Sequence, residues 1–163
     1  MSTHFESQAS AAFGIVCALP GELGSLRERS VATRTRQGLE IFDIECGRTG
    51  RMRALATVSG VGKVAAARAA AVLLAEGVAR ALFVVGTCGG LRTSLAPGTL
   101  VHCTRAAQVD LGSRHYREID SDPTLRAHWR RVAPGVEGWF LTADMPVLSL
   151  WRRVRLARAF AGP

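Results

Sequence analysis

The stretch from Ala54 to Gly90, "ALATVSGVGKVAAARAAAVLLAEGVARALFVVGTCGG", constrains the fold most. An apolar run of strand length empties into a glycine turn. An alanine-rich segment follows, and alanine has the best intrinsic helix propensity. Gly77 stands where that helix should end. A second apolar run, "ALFVVG", then opens onto another glycine loop, "GTCGG". Strands alternating with helices define an α/β domain, with helices on both faces of a mixed sheet.

The remaining segments fit that frame. "FGIVCAL" (13–19) is continuously apolar, as a strand buried on both faces should be. "PGELGSLRERS" reads as a short helix with Leu23 and Leu26 turned inward and Arg27, Glu28 and Arg29 outward. "LEIFDIEC" and "MRALATVSG" alternate enough for a hairpin around "GRTG". "GTLVHCTRAAQVD" and "VEGWFLTAD" are strands, "DPTLRAHWRRV" a helix capped by Ser121 or Asp122, and "LSLWRRVRLARAF" a last helix. Residues 1–12 are polar and read as a disordered leader, and residues 13–163 as one three-layer α/β/α domain with a central mixed sheet. The chain stops at "AGP" directly after a helix, where a layered sheet normally continues with another strand.

Composition removes several functions. The net charge of +8 raises the question of nucleic acid, but the 20 arginines are spread along the chain and do not interleave with the ten aromatic residues. A nucleic-acid partner is therefore disfavoured. Cys17, Cys46, Cys88 and Cys103 form no C-x-x-C pair, and the four histidines show no ligand spacing, so neither a metal nor a cofactor is expected. The thiols fit a reducing cytoplasm. No apolar run reaches the length of a membrane span, and the amino terminus lacks the basic start of a secretory signal.

Three features sit where α/β sheets hold ligands, at the carboxyl ends of strands. "SGVGK" (59–63) fails as a P-loop, because Thr57 replaces the first glycine and Val64 the magnesium-binding hydroxyl. Its G-x-G-x-x-A spacing fits a dinucleotide turn, but the next strand carries no acid at its tip, which favours glycines that let helix and strand pack closely. "GTCGG" could hold phosphate through backbone N–H groups and the Thr87 hydroxyl. Leu82, Phe83, Val84 and Val85 precede it and Arg92 is the nearest arginine after it, so a neutral hydroxylated ligand suits it better than a dianion, with a plain turn as the equal alternative. Glu22 follows the first strand directly; it is either a ligand-site carboxylate or a first-turn acid favoured by the helix dipole. Asp110 and Asp144 fall at later strand ends with the same two readings.

In order, "IVCALPGEL", "VSGVGKVAAARAA", "VVGTCGGL" with "LAPGTLV" after it, and "FLTAD" resemble the nucleoside phosphorylase/nucleosidase superfamily. The likeness is greatest to its methylthioadenosine/S-adenosylhomocysteine nucleosidases and runs from Phe13 to Asp144. It implies an α/β/α fold, assembly as a homodimer, and cleavage of the N-glycosidic bond of a purine nucleoside or 5'-modified adenosine. It places Glu22 as the base that activates water, with Ser59, Thr87, Cys88, Gly89 and Asp144 around the nucleoside; the family's base-stacking aromatic is replaced around Met145 and Pro146. The phosphorylase branch carries an arginine where Val84 stands and a phosphate turn where "ALPGE" stands, so the resemblance implies a hydrolase, with phosphorolysis as the alternative. The family's general-acid Asp and ribose-binding Met-Glu pair have no counterpart in these 163 residues, which implies that the last strands and helix are missing. A nucleoside-binding remnant without turnover is the third reading.

Overall fold

The computed structural model describes residues 11–47, 52–78, 80–110 and 118–160. They fall into two compact units, one ending at Cys88 and one beginning at Gly89. The expected α/β class with mixed sheets is present in both.

In the first unit, strands β1 (Phe13–Cys17), β2 (Ser30–Arg36), β3 (Leu39–Cys46), β4 (Met52–Val58) and β5 (Ala81–Val84) form a sheet in the order β2-β3-β4-β1-β5. β1 is parallel to both of its neighbours, with Val16 opposite Thr57 and Val84. β2 and β3 extend the sheet as antiparallel strands. Side chains alternate across the sheet, so each face can be dry. Val16, Leu39, Ile41 and Leu55 pack with Ala69, Val72 and Leu73 of helix α2 (Lys63–Ala75) on one face. Cys17, Phe42, Ile44, Ala54 and Ala56 pack with Leu23 of the short helix α1 (Pro20–Leu23) on the other. That double coverage explains the continuous apolar run of β1.

The alanine-rich helix ends as expected. Gly77 N–H donates to the Leu74 carbonyl and Val78 N–H to the Leu73 carbonyl, the paired bonds of a Schellman cap. One reading is corrected. Gly60 and Gly62 have φ of 82° and 118°, and a Cβ on either would meet nothing within 4 Å. These glycines serve the left-handed turn into α2 rather than close helix–strand packing.

Of the segment read as leader, residues 1–10 lie outside the described residues, while Ala11 is buried and Ala12 N–H donates to the Arg53 carbonyl. Of the "GRTG" turn, residues 48–50 also lie outside them. β2 was not anticipated. Its Arg34 and Arg36 reach Glu76, just past α2, and Arg34 also pairs with Asp43 of β3. Asp43 is 4% exposed and is met from β4 by Arg53 as well.

In the second unit, β6 (Val101–Gln108) lies between β7 (Glu118–Asp120), antiparallel to it, and β8 (Val136–Thr142), parallel to it. Asp122 caps α3 (Pro123–Val132) by accepting from Leu125 N–H at 2.8 Å, one of the two caps the sequence allows. Helix α4 (Leu150–Ala159) follows Ser149. Among the described residues no helix is long and apolar enough to cross a membrane.

Candidate functional site

Three parallel strands of the first unit, β4, β1 and β5, end side by side, and the segments leaving their carboxyl ends meet. Glu22 lies in α1, five residues beyond β1; Ser59 follows β4; Thr87 follows β5 by three residues. The lateral order of the strands thus joins residues 65 positions apart in sequence.

The Glu22 carboxylate is the centre of this meeting. Its Oε2 accepts from the backbone N–H of Ala18 and of Leu19, each at 2.9 Å. Its Oε1 accepts from the Thr87 backbone N–H at 2.8 Å and from the Thr87 hydroxyl at 2.9 Å. Four donors thus match the roughly four acceptor sites of one carboxylate. Hydrogen bonds to the charged form favour ionisation. The Thr87 N–H, followed by those of Leu19, the Thr87 hydroxyl and Ala18, holds Glu22 below the ordinary carboxylate value, against a smaller opposing effect of burial.

Gly86 makes the approach possible. A Cβ there would stand 2.9 Å from Oε1, 3.0 Å from the carboxyl carbon and 3.0 Å from Oε2. The first glycine of the loop therefore has a steric reason that its sequence alone does not reveal. Beneath it lies Cys17, fully buried, whose thiol is pushed up by burial and then by the Glu22 charge. Ser59 N–H donates to the Cys17 carbonyl at 2.8 Å, and its hydroxyl to the carbonyls of Cys17 and Gly60 at 3.2 and 2.8 Å. Ser59 fixes the turn in this state, with its hydroxyl spent on backbone.

Of the sequence-predicted residues, Glu22 and Thr87 are joined directly, Ser59 is bonded to the backbone of Cys17 and Gly60, and Cys88 is exposed at the end of the same unit. Gly89 and Asp144 belong to the second unit. There, Asp144 N–H donates to Asp110 Oδ2 at 2.6 Å, which brings the carboxyl ends of the parallel strands β6 and β8 together. Sequence reasoning missed Arg153, whose guanidinium donates to the Gly90 carbonyl at 2.8 Å. It lies 63 residues from the glycine loop, so no local spacing could have revealed it. Among the described residues no group of three His, Cys, Asp or Glu side chains could hold a metal.

A mixed sheet covered by helices on both faces, with a carboxylate and a glycine loop at its parallel strand ends, defines an α/β class of protein. The family model described as Phosphorylase superfamily matches residues 12–162, and the chain belongs to that family. It is 31% identical over 124 residues to the 5'-methylthioadenosine/S-adenosylhomocysteine nucleosidases of Mycobacterium bovis and Mycobacterium tuberculosis, an overlap of 76% of this chain and 46% of each relative. The chain thus spans about half the length of the curated relatives it matches. Its fold is that of the Streptococcus pyogenes S-adenosylhomocysteine nucleosidase solved with 5-methylthiotubericidin, with a TM-score of 0.83 and 23% identity over 96% of this chain and 72% of that one. It is likewise that of the Helicobacter pylori futalosine hydrolase, with a TM-score of 0.80 and 21% identity over 94% of this chain and 76% of that one.

Proposed function

We propose that this chain serves hydrolysis of the N-glycosidic bond of a purine nucleoside or 5'-modified adenosine, such as methylthioadenosine or S-adenosylhomocysteine. The observation that carries the reading is the Glu22 carboxylate, held ionised where three parallel strands end and the glycine loop begins. Breaking the bond builds an oxocarbenium-like sugar, so a weak nucleophile suffices if it is positioned and given a base. In this reading Glu22 takes the proton of water as the water attacks the anomeric carbon. Thr87, Cys88, Gly89, Ser59 and Asp144 bind the nucleoside. The leaving purine also needs a proton, and its donor is not among the matched motifs.

The relatives' names support nucleoside hydrolysis, and Val84 in place of an arginine supports water over phosphate. One observation favours phosphorolysis as a second reading: Arg153 stands against the Gly90 end of the loop. Base release from methylthioadenosine with and without phosphate separates the two. Phosphate-independent release fits the hydrolase and release only with phosphate the phosphorylase, while nucleoside binding without release leaves the chain a binding remnant. We assign the protein to the cytoplasm on its free thiols, and to a homodimer on the family resemblance.

A further inference from the structure

A carboxylate with four donors has no lone pair left for a water proton, yet the proposed function requires Glu22 to take one. Three of its donors are backbone N–H groups: Ala18, Leu19 and Thr87. These move only if the chain moves. The fourth is the Thr87 hydroxyl, which leaves by a single rotation about χ1 between staggered positions. The site is exposed at Thr87, so solvent can take the vacated place.

We infer that Thr87 is a positioning residue whose hydroxyl latches Glu22 Oε1, and that its rotation away from the carboxylate opens the lone pair at which water binds. The inference rests on the hydrolase reading and adds to it the group that must yield. In the latched state the Thr87 hydroxyl is the donor to Glu22; once released, it is free to meet a hydroxylated ligand. Gly86 is part of the device, since any side chain there would hold the loop off the carboxylate. Among the described residues no charged side chain shares in holding Glu22. The groups that face it are the Cys17 thiol from β1 and the backbone and hydroxyl donors already named, so its basicity answers to hydrogen bonding rather than to a neighbouring charge.

The test is a carbon-13 titration of the Glu22 carboxyl in the full chain, assigned by its loss in Glu22→Gln, for wild type, Thr87→Val and Thr87→Ser. Valine keeps the branched shape and the backbone N–H but deletes the hydroxyl; serine restores it. The midpoint should rise in Thr87→Val and return to the wild-type value in Thr87→Ser. An unchanged midpoint in a folded Thr87→Val protein, or equal midpoints for valine and serine, would overturn the latch. Methylthioadenosine turnover on the same samples tests the reading beneath it. A raised midpoint without turnover in any variant would keep the latch and remove the hydrolase, whereas turnover with unmoved midpoints would do the reverse.

Discussion

Replacing Gly86 by alanine is the most searching perturbation of the site. The φ of Gly86 lies outside the left-handed region, so alanine adds no backbone strain and its effect comes from the methyl group alone. That methyl would stand 2.9–3.0 Å from the Glu22 carboxyl atoms, closer than a carbon is tolerated. The carboxylate is the end of a flexible side chain and can withdraw, but withdrawing surrenders both bonds from Thr87. Hydrogen bonds to a charged group contribute about 1.5–3 kcal/mol each in buried settings. At this partly exposed site the two together are worth about 1–2 kcal/mol. For a chain of this size that lowers the melting temperature by about 2–8 °C. If Glu22 is the base proposed above, the effect on rate is larger, because a positioned general base contributes about 100- to 10,000-fold. Gly86→Ala should therefore cut base release from methylthioadenosine by about 100-fold or more while remaining folded by circular dichroism. Wild-type turnover with an unchanged melting temperature would refute the argument that this glycine exists to let the loop reach the carboxylate.

Glu22→Gln should abolish release while leaving methylthioadenosine binding measurable by calorimetry, since the amide loses the basicity, and its NH2 end turns to face N–H donors at some cost in stability. Because Glu22 is depressed in the folded state, its contribution to stability is complete above the ordinary value of 4.5 and is lost as pH falls through the folded value. Melting temperatures followed downward from pH 5 should fall more steeply for wild type than for Glu22→Gln. Asp43→Ala removes a buried carboxylate that faces Arg34 and Arg53, and should cost about 2–3 kcal/mol in urea unfolding. Asp122→Ala deletes the α3 cap and should cost about 1 kcal/mol by the same measurement.

The first unit was legible wherever burial on both faces left a continuous apolar run. β1 and β5 announce themselves in this way, β3 and β4 through the alternation that reads as a hairpin, and α2 through alanine and its Gly77 stop. β2 escaped because "SVATRTR" buries none of its side chains fully and alternates Thr with Arg. What fixes it is the pairing of Arg34 and Arg36 with Glu76, about 40 residues away, and no window contains both partners. β7 is three exposed residues held by Arg105, and composition cannot mark it. Glu22 and Thr87 were each placed at strand ends, but their contact required knowing that β5 lies beside β1. Gly86 was legible as a loop residue and illegible as a spacer, because its reason is an atom 64 positions away in sequence. Arg153 at the glycine loop belongs to the same class of contact.

Hydrolysis run in oxygen-18 water tests the central claim most directly, with the released sugar read by mass spectrometry. If Glu22 activates water, the sugar from methylthioadenosine should carry one heavy oxygen at its anomeric carbon whether or not phosphate is present, and Glu22→Gln should yield none. A sugar phosphate without the label, or labelled sugar produced equally by Glu22→Gln, would contradict the account.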